Sequence, residues 1–167
     1  MPKLIKLDGH DLSWAEDVFT DVLDEDETIP EGPVILSLAR FQAEGDALIG
    51  ANRPVGVRIE AGEAVEDLAY DLPRIAVVAL VFPKFRDGRH YSAARLLRER
   101  FNYTGEVRAV GDVLREQAGF MLRCGFDAFI PADGSTPEAW AGAGSRYRHV
   151  YQRATDERVP AYELRGG

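Results

Sequence analysis

The hydrophobic residues of this chain come in short runs, separated by stretches with helical spacing. The clearest run covers residues 75–82; it is apolar throughout and rich in β-branched residues, a pattern that predicts a strand buried on both faces. Four further runs predict strands at residues 34–41, 55–59, 106–110 and 127–130. Residues 4–7 predict one additional short edge strand.

The stretches between these runs predict helices at residues 42–51, 92–101 and 113–124, and a last helix after residue 136. In the second helix, Arg95 stands four residues before Glu99, a spacing that favours an ion pair. Gly125 is placed to end the third helix. Thr136 and Pro137 are typical of a helix start.

Strands that alternate with helices predict an α/β fold, since parallel strands need crossover connections. Five such units are too few for a closed eight-stranded barrel, so we expect a five-stranded, mainly parallel sheet with helices on both faces. A truncated or dimer-completed β/α barrel is the alternative. We expect an acidic N-terminal arm at residues 1–30 and a single α/β domain at residues 31–167. In either architecture, ligands bind at the carboxyl ends of the strands.

Composition narrows the class of protein. The chain has 167 residues, of which 46% are hydrophobic and 29% charged, as expected for one globular domain. The longest apolar run is too short to cross a membrane, and residues 1–9 lack the apolar core of a secretory signal. A single cysteine, Cys124, suits the reducing cytoplasm. The net charge of −8 argues against nucleic-acid binding.

The charges are distributed unevenly along the chain. Residues 1–72 contain 5 basic and 17 acidic side chains, whereas residues 73–167 contain 15 and 11. Positive charge is concentrated in residues 82–101, with the sequence FPKFRDGRHYSAARLLRERF. A basic segment after a buried strand predicts a site for an anion or an acidic partner. The alternative is a solvated helix face, with Arg86, Arg95 and Arg98 paired to carboxylates.

This segment supplies the candidate binding residues. Asp87 and Gly88 predict a tight turn, and Ser92 is placed to cap the helix that follows. The candidates lie at this turn or on the helix: Lys84, Arg86, Asp87, Gly88, Arg89, Tyr91, Ser92, Arg95 and Arg98. Asp112, after the fourth strand, is the candidate catalytic acid or base, although its position also suits a helix cap.

The sequence contains no motif for binding a nucleotide or a metal ion. The chain has no phosphate-binding loop, no complete dinucleotide fingerprint and no spacing of histidine and cysteine that suits a metal. We therefore expect no metal site. The sequence displays no redox centre of its own.

Two stretches carry a resemblance to a known family: FPKF-x-DGR-x-YS-x-ARLLRERF and GEVRAVGDVLREQ…RCGFDAF. They resemble an uncharacterised bacterial family whose members are catalogued as predicted oxidoreductases associated with sulfite reduction. The resemblance extends over residues 34–130. It implies a role in assimilatory sulfite reduction, with the siroheme subunit of sulfite reductase, or its electron donor, as the partner.

An oxidoreductase that has no redox centre of its own needs one from a bound cofactor or from a partner protein. A flavin held by its phosphate at the Arg89 turn would supply it, and so would docking onto the siroheme enzyme. Three functions remain open: an accessory protein that docks through residues 82–100, an enzyme for a phosphorylated or sulfur-oxyanion ligand at the strand rim, and a non-catalytic structural or regulatory module. Exposed sheet edges are compatible with a homodimer.

Overall fold

The structure is a computed structural model that describes residues 3–84 and 88–145. Its strands are β1 (Leu4–Asp8), β2 (Asp11–Ala15), β3 (Thr20–Val22), β4 (Val34–Ser37), β5 (Val55–Ile59), β6 (Val77–Phe82), β7 (Glu106–Gly111) and β8 (Ala128–Phe129). Its α-helices are α1 (Leu38–Gly50), α2 (Arg89–Arg95), α3 (Ala118–Cys124) and α4 (Pro137–Ser145). No helix within these ranges is long and apolar enough to cross a membrane.

All eight strands form one sheet in the order β2-β1-β8-β7-β6-β5-β4-β3. The six strands from β3 to β8 are parallel and lie side by side in chain order. Strand β1 pairs antiparallel with both β8 and β2. The sheet is therefore mainly parallel, as predicted, but it has eight strands rather than five.

The connection between β2 and β3 requires the sheet to curl. Seven strand spacings would separate these two strands by about 34 Å in a flat sheet, yet only residues 16–19 join them. A chain of that length reaches at most about 18 Å. The sheet accordingly forms a curled half-barrel, and we call residues 16–19 the inner strap.

The helices pack on one face of the sheet. Each α-helix contributes buried side chains to the larger hydrophobic cluster, among them Leu38, Phe41, Ala94, Ala118, Met121 and Trp140. The smaller cluster on the opposite face takes its residues from strands and their flanks, including Ile35, Val77 and Val81. Right-handed crossovers between strands in chain order place every helix on the same side. The prediction of helices on both faces is therefore wrong, and the truncated barrel describes the fold better.

Residues 4–22 belong to the sheet rather than to a peripheral arm. Leu4, Ile5 and Val22 are buried, and β1 lies inside the sheet between β2 and β8 rather than at its edge. The acidic residues that follow, at positions 24–27, are exposed. The charged run in the sequence obscured the strands that precede it.

The predicted start of α1 changes, whereas the predicted end of α3 and the predicted start of α4 are confirmed. Helix α1 begins at Leu38 rather than at residue 42. The Ser37 hydroxyl caps it, because its oxygen accepts a hydrogen bond from the Arg40 amide at 3.3 Å. Gly125 does end α3, with φ at +109°. Thr136 caps α4, because its hydroxyl oxygen accepts a hydrogen bond from the Ala139 amide at 3.2 Å.

The face of the sheet that carries no helices is the inner face of the half-barrel, and a group of charged residues lies there beside the smaller hydrophobic cluster. Arg108 is 2% exposed; its guanidinium lies 2.8 Å from Glu106 and 3.0 Å from Asp17 on the inner strap. Lys6 adds a second cation 3.0 Å from Glu106. Burial raises the pKa of Asp21, against the opposing effect of Arg58 and Arg108.

Candidate functional site

The candidate site lies where β5 and β6 end and α2 begins. Strand β6 ends at Phe82, and Lys84 after it is exposed. Helix α2 starts at Arg89, three residues earlier than predicted, with Gly88 in the cap position. Ser92 therefore lies inside the first turn, and its predicted role as the cap is wrong. Of the predicted binding residues, Arg86 and Asp87 lie outside the described part of the chain.

The helix continues from α2 into a π-helical turn at Leu96–Arg100. The Phe101 amide donates to the Leu96 carbonyl oxygen at 3.1 Å, five residues back. A wide turn of this kind changes the direction of the side chains that follow it and is frequent at functional sites. Arg100, in the last position of the turn, is exposed.

A cleft of about 340 Å³ separates α2 from the loop that follows β5. The loop side is held by short-range hydrogen bonds. The Glu60 amide donates to a Glu63 carboxylate oxygen at 2.7 Å, and the Glu63 amide donates to the Glu60 carbonyl oxygen at 3.1 Å. The Arg58 guanidinium donates a hydrogen bond to the Glu60 carboxylate at 2.8 Å. This wall of the cleft is accordingly pre-organised.

The cleft has an apolar floor and walls of opposite charge. Its apolar lining comes from Val65, which is buried, and from Ala93 and Leu96, which are half-buried. The loop wall carries two carboxylates, Glu63 and Glu66, whereas the helix wall carries Arg89. A Cβ atom on Gly62 would lie 3.9 Å from the Arg89 guanidinium, so the two walls approach closely there.

A second hollow, of about 470 Å³, lies further along the helix and shares Ser92 and Leu96 with the cleft. Arg95 and Arg100 line it together with Glu99. The predicted Arg95–Glu99 pair is present, with nitrogen and oxygen 3.8 Å apart. The two hollows form one continuous surface, which we call the α2 surface and define by Arg89, Ser92, Arg95, Leu96 and Arg100.

Arg98 is directed into the fold instead. Its guanidinium donates to the carbonyl oxygens of Tyr103 and Gly105 at 2.8 Å and of Gly125 at 3.0 Å. It also lies 3.4 Å from the Asp127 carboxylate. With these partners Arg98 joins the end of α3 to the segment before β7, so we leave it out of the proposed binding surface.

Tyr91 is half-buried and packs against strand β6 and helix α3. Its ring centroid lies 5.2 Å from that of Phe82 and 4.7 Å from that of Phe120. Burial raises the pKa of Tyr91 to about 12, against the opposing effect of a hydrogen bond with Gln117. The phenol is therefore neutral at physiological pH. His90 is 4% exposed and meets the Phe82 ring edge-on at 6.0 Å.

Asp112 lies at the end of β7, on the same rim of the sheet. Its amide donates to the Phe82 carbonyl oxygen at 2.7 Å. Helix α3 begins only at Ala118, so Asp112 is not in its cap position; the turn before α3 is closed by Gln117, which accepts the Leu114 amide at 3.2 Å. Asp112 is not among the described residues that line the cleft.

Sequence reasoning missed the loop wall of the cleft. The candidate binding residues predicted from the sequence all lie after β6 and do not include Glu63 and Glu66. Gly62, with φ at +95°, is the local signal, because it marks a turn directly after a strand end.

The fold and the site define a class of protein: an α/β half-barrel with a basic helical surface at the carboxyl end of its parallel strands. The chain belongs to the family described as bacterial protein of unknown function (DUF934), whose model matches residues 56–162. The predicted membership of an uncharacterised bacterial family is thereby confirmed. The matched residues include both walls of the cleft. A comparison with curated proteins gave no match.

Proposed function

We propose that the protein is an accessory component of assimilatory sulfite reduction. It binds the siroheme subunit of sulfite reductase, or the electron donor of that enzyme, through the α2 surface and Lys84. The link to sulfite reduction comes from the family resemblance, and the docking surface comes from the arrangement of the basic side chains.

The observation that supports docking is the continuous basic surface on a strongly acidic protein. Lys84, Arg89 and Arg100 are exposed, and the Arg95 side chain is 37% exposed. The chain as a whole carries a charge of −8. A local excess of guanidinium groups attracts an acidic partner surface and orients the encounter.

The geometry favours a protein partner over a small anionic substrate. Two carboxylates, Glu63 and Glu66, line the same cleft as Arg89, and they would repel a phosphate or sulfite bound there. The candidate acid or base, Asp112, does not line the cleft. A flavin phosphate at Arg89 would meet the same repulsion. The role of an enzyme with an oxyanion substrate is therefore the weaker proposal.

Growth on defined sulfur sources tests the proposed pathway. A strain that lacks the protein should grow on sulfide but poorly on sulfate or sulfite, and the wild-type gene should restore growth. A gene that encodes Arg89→Glu, Arg95→Glu and Arg100→Glu together should fail to restore it. The matched control is Arg115→Glu, since Arg115 is exposed and lies outside the α2 surface. Equal growth of the deletion strain on all three sources would contradict the proposal.

A further inference from the structure

We infer that two copies of the chain associate through the open edge of β2, so that their two sheets join into one. The two β2 strands run antiparallel about a two-fold axis at Ser13. The inference is independent of the proposed function and uses no residue of the α2 surface.

The backbone of β2 is oriented for pairing on its open side. Leu7 lies opposite Leu12 in the β1–β2 pair, but the Leu7 amide donates to the Asp127 carbonyl oxygen at 2.9 Å, on the side of β8. In an antiparallel pair, Leu12 therefore directs its N–H and C=O groups away from β1, and Trp14 does the same two residues later. Within the described part of the chain, β2 pairs with β1 alone. These four backbone groups are placed to receive another strand.

The two edges of the sheet differ in how well they are protected. Natural edge strands avoid association by being short or by carrying charges or proline. Strand β3 has three residues, one of which is Asp21, and exposed acidic residues follow at positions 24–27. Strand β2 has five residues, and residues 12–15 contain neither a charge nor a proline. The edge at β2 is therefore the one that favours pairing.

The side chains of β2 complement a second copy of themselves. With the axis at Ser13, Leu12 of each copy lies opposite Trp14 of the other, so both outward-directed residues form hydrogen bonds. Trp14 is 42% exposed and shares a face of the strand with Leu12. The leucine of the second copy would cover part of the exposed indole, and a cross-strand pair of this kind stabilises a sheet.

The charges beside the strand agree with the same register. It places Asp11 opposite Ala15 and, just beyond the strand ends, His10 opposite Glu16, each twice. No two like charges lie directly opposite one another along residues 10–16. A register shifted by two residues would place Trp14 opposite His10 or Leu12 opposite Glu16. The sequence of the edge thus selects a second copy, paired in one register.

The residue on the axis provides the sharpest test. Two-fold symmetry places Ser13 opposite itself in a non-hydrogen-bonded pair, in which the Cα atoms are about 4.5 Å apart. Ser13→Lys or Ser13→Glu therefore brings two like charges together, whereas an equimolar mixture of the two variants brings opposite charges together. Ser13 is exposed, so each variant should fold, and thermal unfolding checks that it does.

Sedimentation equilibrium of the full-length protein measures the association. Wild type and the control Ser13→Ala should form dimers at about 100 μM, because one pair of short strands makes a small interface of the weak class. Each charged variant should dimerise at least about tenfold more weakly, and the mixture should recover the dimer. A wild type that is monomeric at about 1 mM, undiminished association of either charged variant, or no recovery on mixing would overturn the inference. An edge covered by another segment or by a foreign peptide gives no recovery on mixing.

A cysteine variant gives a second readout that does not depend on the charged variants. The close approach across the axis suits a disulfide, and the native Cys124 is buried. When treated with a thiol oxidant, Ser13→Cys should form a covalent dimer. Thr20→Cys, on the exposed side of edge strand β3, is the control and should remain monomeric. A Ser13→Cys protein that is no more cross-linked than Thr20→Cys would overturn the inference.

Discussion

The carboxylate of Asp17 and the guanidinium of Arg108, 91 residues apart in the chain, lie 3.0 Å from each other on the inner face of the half-barrel. The Arg108 side chain is 3% exposed and also contacts Glu106. Because Asp17 belongs to the inner strap, this pair ties the connection between β2 and β3 to the middle of the sheet. The contact thus holds the strap against a strand that is remote from it in sequence.

Replacing Asp17 with Ala should lower the free energy of unfolding by about 1–3 kcal/mol, since Arg108 keeps Glu106 but loses one buried partner. Urea denaturation measures the change. Glu116→Ala is the control, because Glu116 is exposed and 3.8 Å from Arg115; its effect should be below about 0.5 kcal/mol. Equal effects of the two substitutions would contradict the role of the strap.

Arg98→Lys should destabilise the protein by about 2–4 kcal/mol, because a lysine ammonium group cannot reach three carbonyl oxygens and Asp127 in the geometry of the guanidinium fork. Arg95→Lys should change the free energy of unfolding by less than about 0.5 kcal/mol, because Arg95 is partly exposed and its ion pair with Glu99 is long. Thermal unfolding of both variants tests the assignment of Arg98 to the fold and Arg95 to the surface. Similar losses for the two would contradict it.

Stability should depend on the titration of Asp127. Burial raises the pKa of this carboxyl above its ordinary value of 3.8, and Arg98 and the Val107 amide oppose the shift. The folded state therefore holds the proton more tightly than the unfolded state, a stabilisation that is present below pH 3.8 and lost as the pH rises through the folded-state pKa. The side chain of Asp127→Asn does not titrate, so the stability of this variant does not fall with pH for this reason.

The measurement is the difference in unfolding free energy between wild type and Asp127→Asn from mildly acidic to neutral pH. Wild type should become less stable relative to the variant as the pH rises. A difference that moves in the opposite direction would show that ion pairing with Arg98 outweighs burial.

Gly111→Ala should be strongly destabilising, by more than about 2 kcal/mol, because φ is +91° and a Cβ atom would lie 2.5 Å from the Phe82 carbonyl oxygen. Gly134→Ala is the matched control: φ is +68°, but the space around it is open. The control should cost about 1 kcal/mol from backbone strain alone. Chemical denaturation measures the free energy of unfolding of both variants, and the difference between them reports the close approach of β6 and β7 at Gly111. Equal losses of stability in the two variants would contradict this close approach.

Five of the six parallel strands, β4 to β8, could be predicted from the sequence because their apolar runs are local features. Strand β6, continuously apolar at Val77–Phe82, is buried along its whole length. The curl could not be predicted, because it follows from the strand order, which puts β2 and β3 at opposite edges of the sheet, together with the short link at residues 16–19. Strands β2 and β3 were missed because they are short and mix polar with apolar side chains, most of which are exposed.

Only part of the candidate site was predictable. The concentration of arginines after β6 was visible as composition, and Arg89 and Arg95 do line the α2 surface. The separate role of Arg98 was not visible, because the π-helical turn and the carbonyl groups that it contacts depend on tertiary structure. The cleft needed a second wall from the loop after β5, which is remote from α2 in sequence.

The central claim is that the α2 surface docks the protein onto the siroheme subunit of sulfite reductase or its electron donor. Calorimetric titration of each purified partner with full-length protein tests it most directly. Wild type should bind one of them with micromolar affinity that falls as salt is added, and the variant with Arg89→Glu, Arg95→Glu and Arg100→Glu should lose binding while Arg115→Glu retains it. Absence of binding to both partners, or equal binding by wild type and the triple variant, would contradict the claim.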